Sequence, residues 1–179
     1  MDSVDRAQVT HTHSVSSTQD VLLDGLLTGI LGALAVAIWF FVLDVVQGRP
    51  FYTPALLGTV FLHGSAVASN SPVIAPLEIV AYSAVHFLAF AIVGLLFAWL
   101  MSMFERFPIA GFVLLVLLLC LQIGFFVLNA ALGSELMGRL PMWSVIVANL
   151  LAAAAMAGYQ WRRHPGVLAR ANRLWDDAN

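Results

Sequence analysis

The 179-residue chain is 61% hydrophobic and 10% charged, with eight Arg, no Lys, ten Asp and Glu, and a net charge of −2. Its mean hydropathy is +0.91. Soluble domains carry about 25% charged residues, so the composition excludes a soluble enzyme and a disordered chain, and the lack of a basic surface excludes a nucleic-acid binder. The single cysteine, Cys120, excludes a disulfide framework and any CxxC metal knuckle. The expected class is an all-α polytopic membrane protein.

Residues 1–20 are polar, rich in Ser, Thr and His, with Arg6 the one basic residue. They read as a flexible tail; His11 and His13 also have the composition of a short metal-binding tract. The tail lacks a positive secretory n-region, and the apolar stretch after it is long enough to span, so the first helix is expected to be retained.

A bilayer core about 30 Å thick needs about 20 apolar helical residues. Four charge-free stretches meet that length: 25–43 between Asp24 and Asp44, 79–104 between Glu78 and Glu105, 107–134 between Arg106 and Glu135, and 140–161 between Arg139 and Arg162. They predict a four-transmembrane-helix bundle over 21–161, with spans near 21–46, 75–104, 108–132 and 141–161. No stretch has the short alternation of an outer-membrane barrel.

On the first span, Gly25, Gly29, Ala33 and Ala37 form a small-residue ladder of the kind that lets helices approach closely. Asp44 lies seven residues past Ala37, about 20° off that face, and so should face protein. A carboxylate in a last helical turn opposes the macrodipole and needs a partner. Arg49, His86, Asn149 or a bound cation are the candidates.

The link 47–71 contains Thr53-Pro54, an N-cap and first-position signature, and Leu62-His63-Gly64, a stop signature. They predict a helix over 54–62, roughly 13 Å long, lying in the outer interface or re-entrant. On the second span Glu78, Tyr82 and His86 share one face at four-residue steps, with His86 about 12 Å deeper than Glu78. The link at 105–107 before Pro108 makes the second and third spans antiparallel neighbours. Gln122 and Asn129 share a face of the third span, and Asn149 lies in the fourth. The inner half, with Ala152 to Ala155, is expected to hold little polarity. Phe87, Phe90, Phe97, Phe125 and Phe126 are read as packing. Gly48-Arg49-Pro50 after Asp44 and Gly138-Arg139-Leu140-Pro141 after Glu135 form a faint internal echo.

Residues 162–179 form a basic tail, in which Val167, Leu168, Ala171, Leu174 and Trp175 fit one face of an amphipathic helix or else fray. With an even span number, Arg6, Arg106, Arg162, Arg163, Arg170 and Arg173 share one side, and Arg49 and Arg139 the other. The positive-inside rule then places both termini in the cytoplasm, in a bacterial inner membrane. Tyr159 and Trp161 would anchor the inner interface, Trp143 the outer.

Intramembrane polar residues are costly and often mark function. Asp44, Glu78, Tyr82, His86 and Asn149 are therefore the candidate ligand- or proton-binding residues, in the outer half. Three functions fit: an accessory or scaffold subunit of a larger membrane complex, favoured here; a small proton-coupled transporter; or a metal- or haem-binding redox protein using His86, Glu78, Asp44 and His63 as ligands. No HExxH, nucleotide-binding, serine-hydrolase or phosphoryl-transfer motif occurs, so no cofactor is predicted and catalysis is not favoured. The expected partners are the lipid bilayer and either copies of the chain or other membrane subunits.

Overall fold

The computed structural model describes residues 18–64, 74–104, 117, 119–127 and 141–163. Among them the regular structure is entirely helical: α1 (Thr18–Val46), α2 (Tyr52–His63), α3 (Pro76–Phe104), α4 (119–127) and α5 (Met142–Arg163). Helices α1, α3 and α5 are long and apolar enough to cross a membrane, as a multi-pass membrane protein requires. Leu23, Ile38, Leu77, Leu88, Trp99 and Leu150 all stand more than half exposed along their lengths. So continuous an apolar surface is suited to lipid rather than water. The readings of 1–17, the link at 105–107, most of the third stretch including Asn129, the echo at 135–140 and the tail 164–179 lie outside the described residues. Thr18 to Asp20, assigned to the tail, belong to α1.

Helix α1 is the central element. Its Gly25 and Gly29 meet Gly94 and Phe90 of α3, and its Ala33 meets His86, so α1 and α3 are antiparallel. Asp24 meets Arg163 and Trp39 meets Ser144, so α5 is also antiparallel to α1. It follows that α3 and α5 run parallel to each other. The face of α5 turned inward repeats every fourth residue: Ser144, Ala148, Ala152, Met156 and Gln160 are all buried. The core joins Ala33 and Val36, Phe90 and Phe97, Leu121, and Ala148 and Met156.

Glycine sets the α1–α3 distance. A Cβ at Gly29 would lie 2.3 Å from the Phe90 carbonyl oxygen, and one at Gly94 would lie 2.3 Å from the Gly25 carbonyl oxygen. The GxxxG pair is thus used within the chain. Ala33 is fully buried, but Ala37 is exposed and lines a cleft.

Helix α1 ends in a Schellman turn. Gly48 adopts φ 69°, Arg49 N–H donates to the Asp44 carbonyl at 2.8 Å, and Gly48 N–H donates to the Val45 carbonyl at 2.9 Å. Helix α2 then begins at Tyr52, two residues earlier than Thr53-Pro54 suggests. Its N-cap residue is Phe51, at φ 64° and with no side-chain cap of its own. Its end matches the stop signature: His63 is last and Gly64 follows at φ 84°. Buried Leu56, Leu57 and Val60 pack with Tyr82, and Gly58 lies directly on the backbone of Glu78.

Candidate functional site

Asp44 is 3% exposed, and its carboxylate is occupied by the start of α2. Oδ2 accepts from the Thr53 backbone N–H at 2.7 Å and Oδ1 from the Thr53 hydroxyl at 2.7 Å. The side chain that ends α1 therefore caps α2. Orphan amides and the positive end of the α2 dipole stabilise a carboxylate that the α1 dipole opposes. Of the expected side-chain partners, Arg49, His86 and Asn149 do not fill this role. Arg49 instead stacks on the Tyr52 ring at 4.1 Å and bonds Gln47 at 2.6 Å.

Glu78, in the first turn of α3, reaches back to α2: its Oε1 lies 3.2 Å from His63 Nε2. Its Oε2 is buried without a hydrogen-bond partner among the described residues. Two turns further along α3, His86 Nε2 lies 3.2 Å from the Ala33 carbonyl oxygen. A carbonyl can only accept, so Nε2 carries the proton and Nδ1 is left as acceptor. The Tyr82 hydroxyl is 3.5 Å from Nδ1, at the long limit for such a bond, with the two rings stacked at 5.5 Å. Asn149 donates to the Gln122 side chain at 3.1 Å, tying α5 to α4. The five proposed site residues thus form three separate groups: Asp44 with α2, Glu78 with His63, and Tyr82 with His86, while Asn149 is engaged elsewhere.

The opposite end of the bundle is more polar than the alanine run suggests. Asp24 is 8% exposed. Its Oδ1 accepts from Arg163 Nη2 at 2.7 Å, from Arg163 Nε at 3.1 Å and from the Tyr159 hydroxyl at 3.3 Å. Beside it the Thr28 hydroxyl donates to the Asp24 carbonyl at 2.6 Å and accepts from Gln160 Nε2 at 2.7 Å. Gln160 is 1% exposed, and its Oε1 has no partner among the described residues. Sequence reasoning missed this cluster. The available signal was the spacing: Asp24 and Thr28 share one face of α1, and Tyr159, Gln160 and Arg163 fall within one turn of α5.

Two apolar clefts flank the Tyr82–His86 pair, sharing Val36, Phe40, Tyr82 and His86 as a common wall. One, about 280 Å³, opens between α1, the start of α2 and α3, with Phe41, Phe51, Ser83 and Phe87 around it. The other, about 270 Å³, lies towards α4 and α5, with Phe61, Cys120 and Asn149. Among the described residues no three His, Cys, Asp or Glu side chains gather closely enough to hold a metal ion. His63, Glu78, Asp44 and His86 are spread over three of the arrangements above.

No protein-family model matches the chain, and comparison with curated proteins and with solved structures gave no match.

Proposed function

We propose that this chain is a four-span accessory or scaffold subunit of a larger membrane complex, resident in a bacterial inner membrane with both termini cytoplasmic. The observation that carries this reading is the use made of the polar candidates. Asp44, His86 and Asn149 each bond a different helix of the same chain, and Glu78 bonds α2. Side chains spent on internal helix–helix bonds fix a shape. They are poorly placed to relay a proton or ligate a metal. The outward faces of α1, α3 and α5 are apolar along their lengths, which leaves lateral surface for other subunits.

Helix polarity supports the fourth span. Since α3 and α5 run parallel, the chain between Phe104 and Pro141 must return across the bundle. That stretch includes α4, whose Leu121 joins the shared core. The orientation rests on arginine: the end of the bundle marked by Asp24 also carries Arg162 and Arg163, the richer side under the positive-inside rule. Helix α2 is read as interfacial, since both its ends are tied to the Asp44 end of the bundle.

The test is extraction in mild detergent, followed by affinity purification and native mass measurement. Stoichiometric co-purification of other integral subunits is expected. A stable lone monomer that moves protons in proteoliposomes would overturn the reading. Cysteine labelling from each side of the membrane checks the topology, with residues 47 and 164 expected on opposite faces.

A further inference from the structure

We propose that the cleft between α1, α2 and α3 is a binding site for a membrane quinone, a flat carbonyl-bearing ring on an isoprenoid tail. Three observations converge on it. The first is unfilled hydrogen-bonding capacity at an otherwise apolar wall. The Ser83 hydroxyl lines the cleft and makes no hydrogen bond among the described residues, and Tyr82 meets His86 only at 3.5 Å. Because His86 is held by the Ala33 carbonyl through Nε2, its Nδ1 can only accept. The Tyr82 hydroxyl is then the donor in that long contact, and the Ser83 hydroxyl is the donor left to turn towards a ligand. A ligand that satisfies Ser83, or that takes the place of His86 as a nearer acceptor for Tyr82, carries acceptor oxygens.

The second observation is the character of the walls. Phe40, Phe41, Phe51 and Phe87 surround the opening, and aromatic rings favour stacked or edge contacts with another flat ring. A saturated acyl chain uses neither the hydroxyls nor these rings. The volume, about 280 Å³, lies at the lower edge of the roughly 300–1,000 Å³ of small-molecule sites. It admits one substituted ring and leaves the tail in lipid.

The third is backbone strain at the rim. Phe51 holds φ 64°, a left-handed conformation unfavourable for a bulky residue. This conformation sets its ring against Phe41, with centroids 5.1 Å apart. Such strain concentrates at functional sites. The inference is independent of whether the chain works alone or as a subunit.

The test uses the full-length protein in nanodiscs with a photoreactive short-chain benzoquinone. Labelling is expected to saturate, to fall on peptides containing 36–41 and 79–87, and to be competed by unlabelled short-chain quinone but not by equal phospholipid or fatty acid. Tyr82→Phe and Ser83→Ala should each weaken binding about 2- to 10-fold, as loss of one hydrogen bond implies. If a variant fails to fold, competition on the native protein decides. Unsaturable labelling, equal competition by phospholipid, labelling spread over α5, or unchanged binding in both folded variants would each overturn the proposal.

Discussion

Replacing Gly94 by Ala should be among the most damaging one-carbon changes in this protein. The added Cβ would lie 2.3 Å from the Gly25 carbonyl oxygen, 2.4 Å from the Gly29 nitrogen and 2.6 Å from the Gly29 Cα. All three are backbone atoms of α1, so no side-chain rotation relieves the clash. Ordinary Cβ contacts begin near 3.4 Å, so the approach is short by about 1 Å and the two helices must part by that order. A gap of about 0.5–1 Å forfeits a quarter to a half of each dispersion well along the seam. Lipid is as apolar as the helices, so no hydrophobic gain compensates. Overpacking of this kind costs about 1–3 kcal/mol, and the better helix propensity of Ala returns up to about 1 kcal/mol. A net loss of about 1–2 kcal/mol is expected. The assay is reversible unfolding in mixed micelles of rising SDS fraction, followed by circular dichroism. Gly158→Ala is the control, since no described heavy atom lies within 4 Å of its Cβ position. It should leave stability unchanged or slightly raised. Equal unfolding midpoints for the two variants would refute the close-approach argument.

Asp44→Ala leaves the buried Thr53 N–H without its acceptor and should cost about 1–3 kcal/mol. Asp44→Asn keeps one acceptor and should cost about 1 kcal/mol; the same SDS titration ranks the two. Arg163→Ala should destabilise because it removes two charge-assisted hydrogen bonds that the buried Asp24 carboxylate accepts. That loss should shrink when Asp24→Asn is added, so a double-mutant cycle with additive effects would contradict the pairing. Phe51→Gly and Phe51→Ala both lose the ring, but only alanine keeps the left-handed strain. Glycine should therefore be the more stable of the two by about 1 kcal/mol in thermal unfolding. Trp39→Phe removes the indole donor to the Ser144 carbonyl; a loss of about 1 kcal/mol is expected by SDS titration.

The helices and their apolar character were legible because charge is expensive in lipid. Asp24, Asp44 and Glu78 bracket stretches that could scarcely be anything but helix. What stayed hidden was mostly backbone. Thr53-Pro54 reads locally as a cap followed by a first turn. The actual capping carboxylate comes from Asp44, nine residues upstream, and the cap position itself falls to Phe51 in a conformation no propensity favours. A search for partners of Asp44 among side chains could not find the Thr53 amide. The carbonyl of Ala33, which holds His86, was hidden for the same reason. The cluster around Asp24 was a different failure. Asp24 reads sufficiently as a bracket, Tyr159 as an interface anchor and Arg163 as a positive-inside charge, while Thr28 and Gln160 carry no reading of their own, so the spacing across two helices goes unused.

Placement of these bonds explains how one register is chosen where apolar burial cannot choose it. Lipid and Leu are nearly equivalent solvents for another Leu, so sliding α1 by a turn, about 5.4 Å, costs little in apolar contact. It would, however, break Asp24–Arg163 and Trp39–Ser144 together on the α5 side, and Ala33–His86 on the α3 side. The same slide would drive Gly94 away from Gly25 and Gly29, the positions that accept its close approach. Both faces of α1 are thus locked, and the locks consume Asp24, Asp44, His86 and their partners. Tyr82 and Ser83 stand apart from this accounting. Their hydroxyls secure no register and instead line an aromatic cleft, which is why the proposed ligand chemistry belongs there rather than at the acidic residues.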